Sequence, residues 1–165
     1  MSDALTKVFV RNIIFGVEDS LVSTVGLLAG IASTGVAPRT LLMTGVIYIA
    51  VEALSMAVGS YLSEDSVSDL ESGTGALSHA SIGALVMFAS FVIAGFVPLI
   101  PYLLLAPATA LMVSVVLSLA TLFALGYIHG RVAKAPPWTR ALRMAILGGA
   151  AIALGIVVAR LFGVS

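Results

Sequence analysis

Residues 12–34 read NIIFGVEDSLVSTVGLLAGIAST. A helix crossing the hydrocarbon of a bilayer needs roughly 20 mostly apolar residues, and this segment is long and apolar enough to be one. It also places two adjacent acids, Glu18 and Asp19, where the solvent would be lipid. An ionised carboxylate near mid-bilayer costs about 2.5–3.5 kcal/mol on insertion scales. The segment is therefore either not a span, or a span whose acids serve a purpose.

The rest of the chain decides for a span. Its 165 residues are 60% hydrophobic and 10% charged, with a mean hydropathy of +1.16. Soluble domains carry about 25% charged residues, so this composition leaves too little polar surface to face water. Four more apolar runs follow, giving spans over about 12–34, 40–62, 77–100, 104–129 and 140–163. The breaks between them are STGVAPRT, SEDSVSDLESGTG, PLIPY and HGRVAKAPPWTR. Pro98, Pro101 and Pro107 crowd the third break and predict a tight turn, with the third and fourth helices as a close hairpin. The opening MSDALTKVFVRN does not have the form of a cleavable leader, because the apolar run after Arg11 is too long and carries acids. The expected architecture is one domain over residues 1–165, an all-α integral membrane bundle of five transmembrane helices.

Lysine and arginine in short loops set orientation. Lys7, Arg11, Arg131, Lys134, Arg140 and Arg143 share the side of the N-terminus, against Arg39 and Arg160 on the other. That bias predicts a cytoplasmic N-terminus and an external C-terminus. The net charge is zero with no basic block, which leaves no case for nucleic acid. Cysteine is absent, so disulfides and thiolate chemistry are excluded. No phosphate-binding G-x-x-x-x-G-K-[ST], H-E-x-x-H or G-x-S-x-G occurs, and no histidine is expected level with an acid to complete a triad. The chain is not expected to be an enzyme or to hold a resident cofactor.

In the first span, Gly16, Asp19, Ser23, Gly26, Gly30 and Ser33 recur at steps of three and four, on one helix face. Small residues at that spacing let helices approach closely in lipid. Glu18 is rotated about 100° away, toward a different neighbour. The second span, GVIYIAVEALSMAVGSYLS, puts Gly45, Tyr48, Glu52, Met56, Gly59 and Ser63 on one face, with Glu52 near mid-span and Met56 one turn on. Carboxylates with a thioether suit a divalent ion of intermediate softness, such as Fe²⁺ or Mn²⁺. Without a metal, desolvated carboxylates favour their neutral form and take protons instead. Asp19, Glu52, Met56 and Glu18 are thus candidate ligands on a metal/proton exchange path. Each has a structural alternative: a hydrogen-bonded neutral Glu52, an interfacial Asp19 or Glu18, a space-filling Met56. Glu64, Asp65, Asp69, Glu71 and His79 are candidates for cation capture, although such a run is most often a solvated loop. His129 reads as interfacial, and Gly148, Ala151, Gly155 and Ala159 as packing positions of the last helix.

FGVEDSLVSTVGLLAGIA resembles the first-helix signature of the vacuolar iron transporter family, and EALSMAVGSYLSEDSVSDL its second. GFVPLIPYLL and ALGYIHGRV are similar to the ends of its third and fourth helices. The resemblance implies a homodimer with an ion path between the first helices, moving Fe²⁺ or a similar ion out of the cytoplasm against protons. It puts Asp19 at the family's first-helix aspartate and Met56 at its second-helix methionine. Three departures accompany it. Ser20 replaces a glycine, Tyr48 stands where the family has glutamate with Glu52 one turn later, and residues 63–76 are too few for the acidic cytoplasmic module of eukaryotic members. The short form implies a prokaryotic cell membrane. Two other readings stand beside it: a proton-coupled carrier of a small organic cation, and a non-transporting membrane scaffold.

Overall fold

A computed structural model describes residues 3–70 and 76–162. Five helices follow in order: α1 Asp3–Ser33, α2 Pro38–Leu70, α3 Ala76–Leu104, α4 Pro107–Val132 and α5 Pro137–Phe162. Each is long and apolar enough to cross a membrane, and no strand occurs among the described residues. The five-span, all-α architecture expected from hydropathy is present. Pro38, Pro107 and Pro137 each open a helix, where the missing N–H costs nothing and the fixed φ is already helical. Gly35, at φ 73°, ends the first turn out of α1 in a left-handed conformation that side chains rarely adopt.

The boundaries differ from expectation in three places. α1 begins at Asp3 rather than near residue 12, because Asp3–Arg11 contains neither proline nor glycine to stop it. α2 runs on to Leu70, so the acidic stretch expected as a loop is helical through that residue. Its Glu64 forms an ion pair with Arg11 of α1, which ties the extension down. The PLIPY segment is not a turn: Pro98 and Pro101 lie inside α3, and the chain reverses only at Leu105 and Ala106. Proline inside a membrane helix is tolerated where neighbours satisfy the backbone. Pro98 is fully buried, and the Ser114 hydroxyl of α4 donates to its carbonyl at 2.7 Å. The hairpin is therefore pinned beside the prolines rather than bent by them.

α1 is the axis of the bundle. It packs against all four other helices and supplies Leu28, Leu21, and Val25 with Ala29 to three separate core clusters. Half of its apolar window is buried, against 11% for α5. The small-residue stripe of α1 is spent inside the chain. A Cβ at Gly30 would lie 2.7 Å from the Gly155 carbonyl oxygen, one at Gly26 would lie 3.1 Å from that of Ala151, and one at Gly155 would collide with the Gly26 carbonyl. Ala151 and Gly155 are thus packing positions, as expected, and their partner is α1.

These contacts are backbone against side-chain position, so no flexible atom is available to yield. Gly155→Ala is expected to destabilise the fold by about 1–3 kcal/mol. Gly149→Ala, on the same helix with open space around it, should be neutral or stabilising. Thermal unfolding of both variants in detergent checks the contrast; equal stabilities would mean that the α1–α5 approach is looser than described.

Candidate functional site

An α-helix turns about 100° per residue, so neighbours on α1 look to different helices. Asp19 looks to α2. It is half-buried and lies within electrostatic range of Glu52, and Tyr48 is within range of both carboxylates. The Tyr48 hydroxyl lies near Ser23, whose own hydroxyl donates to the Asp19 carbonyl at 2.6 Å. Two acids, a phenol and a serine from α1 and α2 therefore converge midway along both helices. The face shared by Tyr48 and Glu52 was legible in their spacing; that the phenol would join the acids was not.

Two cavities flank this group along the helix axes. Toward the N-terminal end of α1 lies a cavity of about 610 Å³, whose walls include Asn12, Met56, Ser60, Ser63 and Met87. Toward the other end lies an open cavity of about 670 Å³, reached by Tyr48, Ser23, Gly26, Gly30 and Thr34 and bordered by α5. Along α1 the order is Asn12, Asp19, Ser23, Thr34; along α2 it runs in reverse as Ser63, Met56, Glu52, Tyr48. The acid pair thus stands between the two cavities. Met56 belongs to the first of them, one turn below Glu52, with the Met87 thioether of α3 in the same wall.

The first cavity has a polar frame. Ser60 donates to Asn12 Oδ1 at 2.8 Å, and Asn12 Nδ2 donates to the Val8 carbonyl at 2.9 Å. Both residues are buried, which a polar pair tolerates only when satisfied. Arg11 and Glu64 close the frame from the end of the bundle. Glu64 is therefore engaged with a cation of its own chain. Asp65 has a bonded or electrostatic partner as well. His79 is half-buried near the start of α3. Of the other expected capture residues, the Asp69 side chain and all of Glu71 fall outside the described residues.

Glu18 does not join Asp19. It faces the opposite flank of α1, where it shares one cavity with His129, Arg140 and Arg143 and a second with His129 and Lys7. An acid and a histidine are thus at one depth after all. The long α1 and the close α4–α5 hairpin bring them together, and neither is visible in sequence spacing. Among the described residues no three His, Asp or Glu side chains form a metal-holding group. One chain offers a divalent cation two carboxylates at Asp19 and Glu52, with Met56 a turn away.

A sequence model of the VIT family matches residues 10–82 and 72–160, two segments that meet at the α2–α3 connection. Among curated proteins, the chain is 28% identical to "Vacuolar iron transporter 1" of Oryza sativa subsp. japonica, covering 87% of this chain and 81% of that protein. It is 25% identical to "Vacuolar iron transporter 1" of Arabidopsis thaliana, covering 92% and 85%. Both alignments, over 206 and 212 residues, exceed the 165 residues of the chain, so these relatives carry inserted segments.

The Asn12–Ser60 pair gives the site's frame a measurable strength. Removing one partner of a buried hydrogen bond costs about 1–3 kcal/mol. Asn12→Ala and Ser60→Ala should each fall in that range, and the double variant should lose less than the sum. A double-mutant cycle by chemical denaturation reads the coupling; strict additivity would show that the two side chains do not act together.

Proposed function

The chain belongs to the VIT family, a family of metal transporters, and from that premise we propose that it exchanges a divalent transition metal for protons across its membrane. The cargo in this proposal is Fe²⁺, with Mn²⁺ second, exported from the cytoplasm. The observation that carries the reading is the acid pair of Asp19 and Glu52 standing between two cavities. A half-buried pair of carboxylates within electrostatic range of each other is costly while both are ionised and unpaired. A doubly charged cation or protons relieve the same cost, and both cannot occupy the same oxygens at once. Competition for one pair of groups is the physical basis of exchange.

Each side chain has a role in this proposal. Asp19 and Glu52 bind the ion at the midpoint. Met56 offers a soft donor in the approach from the N-terminal end, favouring iron over harder ions. Tyr48 and Ser23 receive the ion's shell on the far side. Two carboxylates are fewer donors than a divalent ion takes, which favours a homodimer in which a second copy contributes the same set across a two-fold axis. The cavity beside Tyr48 lies along the α1 face left open between α2 and α5, where that copy would pack. The lysines and arginines gathered at one end support a cytoplasmic N-terminus, and the short α2–α3 connection supports a prokaryotic cell membrane. The second reading, a small organic cation as cargo, draws support from a phenol beside two acids at the edge of a largely apolar cavity.

Purified protein in vesicles is expected to carry Fe²⁺ at a rate set by the pH gradient. Asp19→Asn and Glu52→Gln should each lower flux at least ten-fold, while Met56→Leu should slow Fe²⁺ more than Mn²⁺. Flux unaffected by either acid substitution would overturn the exchange site. Displacement of the metal by small amines, rather than by protons, would favour the organic cation.

A further inference from the structure

The flank of α1 that carries Glu18 is turned away from the acid pair, and although it borders the first cavity at Arg11 and Phe15 it is built in its own right. Glu18, His129, Arg140, Arg143, Met144 and Leu147 line a chamber of about 330 Å³. Glu18 and His129 also line a neighbouring chamber of about 480 Å³, whose other walls are Val10, Ile14 and Phe15 together with Thr6, Lys7 and Arg11. Because the two share Glu18 and His129, the arginine-lined chamber adjoins one with a larger apolar wall and two further cations. Both lie at the end of the bundle that holds the N-terminus, the last turn of α4 and the first turns of α5.

We propose that these joined chambers bind one anionic phospholipid, its phosphodiester between Arg140 and Arg143 and an acyl chain along Val10, Ile14 and Phe15. The arginines occupy the first two turns of α5. The aligned peptide dipoles there already present a positive end, so cations are disfavoured unless an anion is near. No acid lies in the first turn of α5 to compensate, and no carboxylate forms an ion pair with either arginine among the described residues. The topological bias for positive residues explains why arginines sit at this end. It does not explain why both line a chamber with a carboxylate and an imidazole.

Arg140 is held in place. Its Nη1 donates to His129 Nε2 at 3.1 Å; a guanidinium has no acceptor, so the imidazole must accept. The remaining guanidinium donors suit a phosphate, which a planar fork binds through two oxygens. Glu18 limits the charge that fits. It opposes a dianionic monoester but accepts hydrogen bonds from headgroup hydroxyls, as in a singly charged glycerol diester. The apolar annex decides between a lipid and a free anion. Phe15 is 50% exposed there, and a soluble phosphate would make no use of it, whereas an acyl chain would cover it.

Trp138 is the only tryptophan of the chain and sits in the same turn of α5 as Arg140, so it reports on lipid at this place. The full chain in phosphatidylcholine nanodiscs would be titrated with brominated phosphatidylglycerol or brominated phosphatidylcholine, and Trp138 quenching followed. Preference for the glycerol lipid is expected, with a loss of roughly five-fold for each arginine replaced by glutamine in R140Q and R143Q. R131Q with K134Q removes as much charge from exposed positions outside the chambers and should leave the preference intact. An unshifted Trp138 emission maximum in R143Q establishes that the fold around α5 survives. The proposal is overturned by equal quenching from both lipids in the natural sequence, by equal losses in the two charge-removing pairs, or by inorganic phosphate abolishing the preference, which would make this a free-anion site.

Discussion

The bundle bears the cost of keeping the carboxylates of Asp19 and Glu52 within electrostatic range of one another at half-buried positions of an apolar fold. Neither is satisfied by a cation of its own chain within ion-pair distance among the described residues. They persist because the helices that carry them are fixed by other means. On α1 those means are the backbone-close contacts of Gly26 and Gly30 with α5, the Ser20 hydroxyl donating to the Phe91 carbonyl of α3 at 2.6 Å, and the Asn12–Ser60 bond to α2. Small residues and short hydroxyls do the work that a hydrophobic driving force does in water, since lipid gives apolar side chains no reason to prefer protein. A bulkier α1 would hold its acids less firmly.

Much of this was legible in the sequence, and the illegible part has physical reasons. Hydropathy locates five spans because each must hide its peptide groups in hydrocarbon. Spacing puts Asp19, Ser23, Gly26 and Gly30 on one face because the helical period is rigid. Periodicity names a face, however, and not the helix that meets it. The stripe calls for a close neighbour without naming it, and the fold sets Gly26 and Gly30 against α5. The same limit applies to Glu18, whose rotation away from Asp19 is predictable while its meeting with His129 and Arg140 depends on the α4–α5 hairpin.

Other failures trace to local competition. Pro98 and Pro101 signal a turn by themselves, yet a buried environment and the Ser114 hydroxyl let the helix continue past them. The stretch from Ser63 to Leu70 reads as a loop from its charges, yet it lacks a breaker until Gly73, and its Glu64 finds Arg11 one helix away. In each case a tertiary contact outweighs a local signal. Membership in the VIT family fits this picture, since the family match runs through all five helices, including the two that carry the convergent acids.

α1 packs more extensively against α3 and α5 than against α2, and α2 in turn is seated mainly on α3. The seam across which the two acids meet is therefore the least tightly laced of the four that α1 makes. Tilting α2 a little about its footing on α3 would widen the upper half of that crevice while narrowing the lower, without unpicking the glycine contacts on the far side of α1. Relative movement of α1 and α2 would thus meet least resistance on the side where the charge lies and most on the side of the glycines.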